Sequence, residues 1–399
     1  MRFRIALIAA CAVRAAPMIA QAPITRADAV NTAIERGPRL AVARADTAVA
    51  TAALLTARAL PNPTLNAAYS AAVPNHHLTV DVPIDFPWLR QLRVRSAQLG
   101  VQAAQYRYQF ARAMIALDAD TTYTRAIASR ERVALSRRNA LDADSLLHMV
   151  ERRRDAGDAS DMDVELARVN AGQQANIATS DSLTWLSALL DLQAVLGLAG
   201  RQLEIRAVDS LTAPPEAVMP TQATLSEAAA GVSLESAGLT SQLQRRSVWS
   251  SFTVIAGFEQ GDPGQPGLLP TVGIGVGLPI FNRNRGPIAQ ADAERARAAA
   301  DLLLAQVEAR NQIAHASRER ENALARVARD RIVVASAERV VAMSLTAYRE
   351  GASSLPNVLQ AQRTARDVLA QYIDDLALAW IATAELRVLA TPPSPSTLP

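Results

Sequence analysis

The sequence contains no lysine, one cysteine and four histidines among 399 residues. All 41 basic residues are therefore arginines, and they are dispersed among 38 acidic residues, which leaves a net charge of +3. A dispersed and nearly balanced charge is typical of solvated helix faces and lacks the basic patch that nucleic-acid binding requires. With one cysteine, the chain forms neither an internal disulfide nor a cysteine-based metal site. These absences predict that nucleic acid is not a partner.

Aromatic residues make up only 4% of a chain that is 50% hydrophobic, so alanine, leucine and valine dominate its apolar content. That composition favours helices packed closely side by side. No Gly-x-Ser-x-Gly or His-Glu-x-x-His motif is present. The histidines form no ligand set, because His76 and His77 are adjacent at a turn while His148 and His315 are far apart. We therefore predict that the protein is not an enzyme and has no cofactor and no metal site.

The first 22 residues have the features of an export signal. Arg2 and Arg4 precede an apolar run at residues 5–13, and small residues follow it. Cys11 loosely resembles the acylation site of a lipoprotein. The preferred interpretation is a signal-peptide residue that is discarded, and acylation stays open. No later segment has about 20 uninterrupted apolar residues, so any contact with a membrane must be made by strands.

Residues 271–280 alternate between apolar and small residues, which is the period of a strand with one apolar face. After Gly286-Pro287 the sequence is rich in alanine, arginine and glutamate and has no proline before Pro356, which predicts a very long helix. The first half repeats this plan, because residues 78–85 also alternate and a long helical pattern follows them. Two similar halves therefore follow one another in the chain.

The predicted organisation is a duplication. A signal peptide at 1–22 precedes the first repeat, a linker at 201–221 joins the repeats, and a disordered tail occupies 391–399. The first repeat, at 23–200, has a helix, strands at about 64–72 and 78–85, and long helices at about 88–154 and 160–197. The second repeat, at 222–390, has a short helix, strands at about 248–258 and 270–281, and long helices at about 287–350 and 355–390.

The turns between the paired long helices carry the clearest sign of duplication. Gly157 and Gly351 align when the two halves are superimposed, and Ser160 and Ser354 follow them at the same offset. A fixed offset over such a distance indicates an internal repeat. Both glycines are expected to end a helix in the left-handed conformation.

Helix and strand lengths restrict the architecture. A helix of about 65 residues is about 100 Å long, and its apolar spacing fits coiled-coil-like packing. Strands of about eight to ten residues are long enough to cross a bilayer. Four strands do not close a barrel, and lipid does not tolerate open edges, so the strands must be shared among several copies. The rival interpretation, a structural periplasmic coiled-coil scaffold, explains the helices but not the strands.

Several motifs give the chain a resemblance to the outer-membrane efflux protein (TolC-like) family. The resemblance covers about residues 24–390 and depends on the order, spacing and duplication of these motifs. They are residues 24–30 (ITRADAV), residues 60–65 (LPNPTL), residues 277–283 (GLPIFNR) leading into a helix, and the two Gly-x-x-Ser turns.

The resemblance implies a mainly α fold with a membrane β-barrel contribution. Each protomer of a homotrimer would add long helices to an α-helical tunnel and four strands to a shared 12-stranded outer-membrane β-barrel. It implies an exit duct in the cell outer membrane, extending into the periplasm, that works passively with a periplasmic adaptor (membrane fusion) protein and an inner-membrane RND-type pump. The chain is most similar to the branch that serves heavy-metal cation pumps. A multidrug or protein-secretion channel of the same fold is the alternative.

In this architecture the last strand contacts outer-membrane lipid on one face. Glycines at alternate positions belong to such a strand and not to a phosphate-binding loop. The residues expected to face lipid are Val272, Ile274, Val276 and Leu278. Proline lacks an amide donor and suits the end of a sheet ladder. The transition from barrel to tunnel is therefore assigned to Pro83, Pro279, Gly286 and Pro287.

The resemblance also implies a periplasmic gate at the helical tips. Tyr348 and Asp163 match a Tyr–Asp link between neighbouring helices. Alternatively, Asp163 forms a capping box with Ser160, and Tyr348 only packs. The acidic entrance positions of the family correspond here to Asn357 and Gln360, which are neutral and argue against an acidic ring at that place.

Two other features of the sequence bear on the tips and the middle of the tunnel. Asp158 and Asp161 add negative charge near the tip turns, or are simply solvated turn residues. The first repeat begins with a helical stretch at 26–60, whereas the matching stretch at 226–244 is about half as long. We therefore expect abbreviated packing at the middle of the tunnel.

Overall fold

Two very long helices dominate the structure. The computed structural model describes residues 22–198, 205–249 and 252–394, so Cys11 and the rest of the predicted signal peptide up to residue 21 lie outside the described residues. Helix α3 (Pro87–Asp155) has 69 residues and helix α6 (Arg285–Arg349) has 65. Each is about 100 Å long at a rise of ~1.5 Å per residue. The mainly helical fold predicted from the sequence is confirmed.

The remaining elements repeat the same order in both halves, with one additional helix in the first. A short 3₁₀ turn (Ser247–Trp249) precedes the fifth strand. The other helices are α1 (Arg26–Arg36), α2 (Pro38–Arg58), α4 (Asp161–Val195), α5 (Leu225–Arg246) and α7 (Leu355–Leu389), and the strands are β1 (Ala22–Ile24), β2 (Thr64–Tyr69), β3 (His76–Pro83), β4 (Ile205–Ala207), β5 (Phe252–Gln260) and β6 (Leu269–Val276).

The helices of the two halves pack in the same way. Helix α4 folds back on α3 and α7 folds back on α6, while α2 and α5 cover the strand-side ends of the long helices. Contacts of α3 with α5 and α7 join the halves. Among them, Arg132 Nη1 lies 2.7 Å from both carboxylate oxygens of Asp374. Abundant alanine permits this close approach between helices.

The four longer strands form one antiparallel sheet in the order β2-β3-β5-β6. Its central pair joins the two repeats, with His76 opposite Gln260 and Pro83 opposite Thr253. Strands β2 and β6 form the two edges, and no further described strand pairs with either of them. The sheet of a single chain is therefore open on both sides.

Several strand ends differ from the predicted bounds. Strand β2 stops at Tyr69, β3 occupies His76–Pro83, β5 begins only at Phe252, and β6 stops at Val276. The alternation of apolar and polar residues in the sequence continues beyond the last residue that pairs with a neighbouring strand. The hydrogen-bonded ladder, however, ends where the neighbouring strand ends. The predicted strand residues after 276 lie instead in the connection that leads to α6.

A second, two-stranded sheet corrects the predicted linker. Strand β1 pairs in parallel with β4, with Ala22 opposite Ile205 and Ile24 opposite Ala207. Strand β4 lies inside the segment predicted as a linker, and β1 begins at the last residue assigned to the signal peptide. Strands of three residues are too short to show a period in the sequence.

The predicted helix at 26–60 is divided. Gly37 is the boundary, and Pro38 occupies the first position of α2, which proline favours. Helix α2 has 21 residues and α5 has 22, so these two helices have nearly the same length. The expected abbreviation is therefore corrected: among the described residues, the second repeat lacks a counterpart of α1 and retains the full paired helix.

Among the described helices, residues Arg39–Arg58 of α2 alone are long and apolar enough to cross a membrane by length and composition. Arg44 and Asp46 interrupt this segment, which packs along α3. Length and composition are weak evidence for a span, and α2 has a place in the helix bundle.

Residues 391–394 of the predicted disordered tail are described, and 395–399 lie outside the described residues. The Gln109 amide donates a hydrogen bond to the carbonyl oxygen of Ser394 at 2.6 Å. This contact attaches the beginning of the tail to α3.

Candidate functional site

The two tip turns have the same backbone geometry. Gly157 after α3 has φ of 88°, and Gly351 after α6 has φ of 75°. In both turns the next amide donates to the carbonyl oxygen five residues before it, at 2.8 Å. This is the glycine-terminated helix end in which the left-handed residue allows the chain to reverse. Both glycines therefore have the conformation expected from the sequence.

The serines that follow these glycines differ. Ser160 forms a complete capping box: its hydroxyl accepts from the amide of Asp163 at 3.1 Å, and its own amide donates to the Asp163 carboxylate at 3.2 Å. Ser354 begins α7 without a hydrogen bond from its side chain. Asp163 is thus engaged within its own helix end, as the alternative interpretation of the sequence predicted.

Tyr348 is buried among the apolar side chains of the four helical tips, which include Val150, Val164 and Leu355. Its hydroxyl has no hydrogen-bond partner among the described residues. Burial raises the pKa of Tyr348, while the charge of Arg153 lowers it and that of Asp163 raises it to a smaller extent. The Tyr348 and Asp163 side chains are not hydrogen-bonded in this single chain, and the gate role stays a prediction.

Arg153 contributes to the tip and was not identified from the sequence. Its guanidinium lies over the Tyr348 ring at 4.8 Å from the centroid and donates to the Tyr348 carbonyl oxygen. This arrangement joins the end of α3 to the end of α6 by a cation–π contact. The signal in the sequence is the Arg152-Arg153-Arg154 run, because cations are favoured in the last turn of a helix.

The other predicted tip residues are exposed. Asp158, Asp161, Asn357 and Gln360 all lie at the surface of the turns. The Asn357 amide donates to the Ser353 hydroxyl at 3.3 Å, which holds it beside its own turn. These positions form the rim of the tips, and their part in an entrance stays a prediction.

The strands separate an apolar face from a polar face. Val272 is 81% exposed and Ile274 75% exposed in the single chain, as side chains directed at lipid would be. Val276 ends β6 on the same face, whereas Leu278 lies beyond the last strand residue, so its assignment to the strand is wrong. Strand β6 is shorter than predicted because its partner β5 begins at Phe252.

The glycines of β6 make room for a larger neighbour. A Cβ placed on Gly273 would lie 3.7 Å from Cβ of Ile255, and one placed on Gly275 would lie 3.5 Å from Cβ of Thr253. Small residues here let the side chains of β5 lie across the sheet on the polar face. Gly273 and Gly275 thus belong to the strand, as predicted, whereas Gly277 lies just beyond its end.

The junction between strands and helices differs from the four predicted residues. Pro83 ends β3, while Pro279 lies in the connection between β6 and α6. Helix α6 begins at Arg285, so Gly286 and Pro287 belong to its first turn. Proline is tolerated in that turn because the first amides of a helix have no partner within it.

Asn284 holds the junction of the second repeat and was missed from the sequence. It has a left-handed backbone with φ of 58°. Its side-chain amide donates to the Gln244 carbonyl at 2.8 Å and to the Ser247 hydroxyl at 3.1 Å, at the end of α5. Asparagine tolerates this conformation better than most residues, and an Asn-Arg-Asn run beside Gly-Pro was the available signal.

The first repeat has a different junction, built from charges. Arg93 on α3 forms a two-pronged pair with Asp85, at 3.2 and 2.8 Å. The Arg93 Nε also donates to the Ala57 carbonyl at the end of α2, at 2.9 Å. One arginine therefore ties the end of strand β3 to two helices, as a planar guanidinium is able to do.

A buried charge cluster fastens the middle of the helices. Asp120 on α3 is nearly inaccessible and accepts from Arg26 on α1 and from Arg387 on α7, the latter at 3.0 Å. The Arg26 guanidinium also lies 3.8 Å from the Trp380 ring centroid. This cluster connects α1, α3 and α7 across a long sequence separation, which is why no local pattern revealed it.

Tyr123 completes this cluster. Its hydroxyl oxygen lies 2.9 Å from both the Ile24 carbonyl oxygen and Asp209 Oδ2, and its single proton is shared between these two acceptors. Burial, together with the Asp209 hydrogen bond, raises the pKa of Tyr123 to about 12. Tyr123 thus remains a neutral donor that secures β1 and the segment after β4 to the long helix.

Known proteins share this arrangement. Residues 268–390, which contain β6, α6, α7 and the second tip turn, match the model of the outer membrane efflux protein family. The structure superimposes on the Campylobacter jejuni CmeC outer membrane channel with a TM-score of 0.79 and 15% identity, over 93% of this chain and 87% of CmeC. Residues 268–390 thus resemble the outer membrane efflux protein family, and the whole chain has the fold of a solved outer membrane channel.

Two curated relatives of this chain are named for different cargoes. The cobalt-zinc-cadmium resistance protein CzcC of Cupriavidus metallidurans is 22% identical over 383 residues, which are 94% of this chain and 91% of CzcC. The pyoverdine export outer membrane protein OpmQ of Pseudomonas aeruginosa is 26% identical over 305 residues, which are 72% of this chain. The match spans only 63% of OpmQ, less than two thirds of its length.

Proposed function

We propose that this chain forms a homotrimeric exit duct through which a tripartite pump expels its substrate. An inner-membrane RND-type pump supplies the energy, a periplasmic adaptor protein connects it to the duct, and the duct conducts passively. One observation carries this proposal. In each repeat a strand of eight residues, β3 or β6, is followed after a short connection by a helix about 100 Å long. The proposal places the sheet in lipid and the long helices in the periplasm.

The trimer is supported by the open sheet. Strands β2 and β6 expose unpaired edges in the described chain, and unpaired backbone groups are not tolerated in hydrocarbon. Three chains that pair β6 of one with β2 of the next give a closed barrel of twelve strands, which has no edge. The long helices then line a tunnel below it.

The tips are the proposed gate. Gly157 and Gly351 provide the turns about which the helix pairs shift when the adaptor docks. Tyr348 and Asp163 are the proposed link between neighbouring helices. Asp158, Asp161, Asn357 and Gln360 surround the entrance.

Heavy-metal cations are the proposed cargo. CzcC, which is named for cobalt, zinc and cadmium resistance, matches nearly the whole of this chain and 91% of its own length. OpmQ, which is named for pyoverdine export, supports an organic cargo as the second candidate over a shorter match.

The test is deletion of the gene, followed by growth with zinc, cobalt, cadmium, copper and silver beside a panel of dyes and antibiotics. Sensitivity limited to the metals, restored by the intact gene, is the expected result. Sensitivity limited to organic compounds would contradict the metal cargo and leave the duct in place. The same strain, complemented with the intact gene, should yield a trimer from outer-membrane extracts. A soluble periplasmic protein there would instead support the coiled-coil scaffold.

A further inference from the structure

We propose that Asp81 and Glu259 make the lumen of the shared barrel selective for cations. This inference rests on the proposed function, because it requires a conducting trimer. It concerns the strands and not the tips, where the two positions that correspond to the family's acidic entrance are Asn357 and Gln360.

The strand register identifies the polar face. Asp81 pairs with Ile255, which pairs with Gly273, so these three residues lie in one row on one face of the sheet. Val272 and Ile274 lie on the opposite, apolar face. In a membrane barrel the apolar face contacts lipid and the polar face lines the lumen. Asp81 and Glu259 are both on the lumen face, because they are separated by an even number of steps on the ladder.

The charge of the four long strands has one sign. Strands β2, β3, β5 and β6 contain two acidic residues, Asp81 and Glu259, and no arginine. This contrasts with the whole chain, whose 41 basic residues exceed its 38 acidic residues. A water-filled pore with low-dielectric walls concentrates the field of such charges and raises the local concentration of cations.

Asp81 forms no salt bridge with the residues that the structure describes. Its Oδ2 accepts a hydrogen bond from the Asn66 side-chain amide at 2.9 Å, which is a neutral donor. Its Oδ1 is buried in the single chain and has no hydrogen-bond partner in the part of the chain that the structure describes. The Asp81 carboxylate therefore has an uncharged side chain as its hydrogen-bond partner and, among the described residues, no arginine or histidine within salt-bridge distance.

Glu259 places a second carboxylate on the same face of the sheet as Asp81, at a position nearer the hairpin loops. It pairs with His77, four residues from Asp81 on β3, which separates the two carboxylates by about 13 Å along the strands at ~3.3 Å per residue. The His77 Nδ1 lies 3.3 Å from Glu259 Oε1, so this carboxylate is compensated whenever the imidazole is protonated. Asp81 is therefore the dominant residue. A trimer would repeat both levels three times.

The experiment measures the reversal potential of the purified trimer in a planar bilayer under a gradient of KCl. The wild-type channel is expected to prefer K⁺ over Cl⁻. Asp81→Asn should lower the permeability ratio by about twofold or more, because it removes a charge in each protomer from a confined pore. The double variant with Glu259→Gln should approach a ratio near one. Asparagine at 81 still accepts the Asn66 hydrogen bond, so the strand geometry is retained.

Two further variants make the result specific. Asp81→Glu keeps the charge and should keep the selectivity. Asp262→Asn makes the same chemical change in the loop between β5 and β6, where Asp262 Oδ1 accepts from the Gly264 amide at 2.8 Å, and should leave the ratio unchanged.

A conducting trimer that is unselective or prefers Cl⁻, or an Asp81→Asn channel with an unaltered ratio, would overturn this inference and leave the duct intact. An equal loss in Asp262→Asn would place the selectivity in the loops and would also overturn it. The absence of both trimer and conductance would overturn the proposed function itself, and the inference with it.

Discussion

Two equivalent serines at the tip turns differ in what their hydroxyl groups bind. Ser160 caps α4 through Asp163, whereas Ser354 makes no capping hydrogen bond from its side chain. Ser160→Ala is therefore expected to lower the free energy of unfolding by about 1 kcal/mol. Ser354→Ala should change it little and is the matched control. Denaturant midpoints of the two purified variants test this, and equal losses would contradict it.

Two aspartates within one turn of α3, on different sides of the helix, give a second residue-scale prediction. Asp120 is 3% exposed and holds Arg26 and Arg387, while Asp118 is 40% exposed and holds only Arg39. Asp120→Asn should lower the free energy of unfolding by about 3 kcal/mol, because it leaves the largely buried Arg26 guanidinium without its carboxylate.

Asp118→Asn serves as the control and should lower the free energy of unfolding by less than about 0.5 kcal/mol, since exposed salt bridges contribute little to stability. Both variants are compared by denaturant unfolding of the detergent-solubilised protein. A similar small effect of both would show that the cluster at the middle of the helices does not stabilise the fold.

At the scale of elements, the two faces of β6 should respond differently to charge. Val272→Arg places a cation on the face directed at lipid. Near the middle of the bilayer it should lower the free energy of unfolding by about 2–4 kcal/mol. Thr271→Arg, one residue away on the opposite face, should be tolerated because it meets water in the lumen. The yield of folded protein in the outer membrane measures both. Equal loss would contradict the assignment of the faces.

The elements also show what the sequence makes predictable. The four long helices begin and end within two residues of their predicted bounds, because glycine turns mark their ends and their patterns run over many turns. Strand ends moved by up to five residues, since a strand ends where its partner ends and not where its own pattern stops.

Some features could not be predicted because their partners are distant in the sequence. Strands β1 and β4 have three residues each and are joined across a long stretch of chain. Asp120 with its two arginines involves three helices. By contrast, the division of the first helix at Gly37-Pro38 had a local signal in proline's preference for the first helical position.

At the scale of the whole molecule, the proposed trimer predicts a specific cross-link. The single cysteine makes a Cys11→Ser background free of thiols. Ala67→Cys in β2 and Ile274→Cys in β6 then mark the two edges of the sheet. Within one chain these edges are three strand spacings apart, about 14 Å, so a linker shorter than ~10 Å connects them only between chains.

Covalent trimers on a denaturing gel are the expected result when both cysteines are present. Each single-cysteine variant is a control and should give no covalent trimer with the same linker. Monomers only, in a preparation that is folded and reacts with the linker, would contradict the closed barrel of three chains.

The shared geometry of the two tip turns has a consequence for stoichiometry. Three chains would present six nearly equivalent turns at the periplasmic end, two from each chain. Helix α1 has no described counterpart in the second repeat, so the middle of the trimer would present only three equivalent places. A partner that recognises the backbone of the turns thus has six binding sites on a trimer, whereas a partner that recognises the middle of the helices has three. The molar ratio of bound partner to chain would show whether the partner binds the turns or the middle.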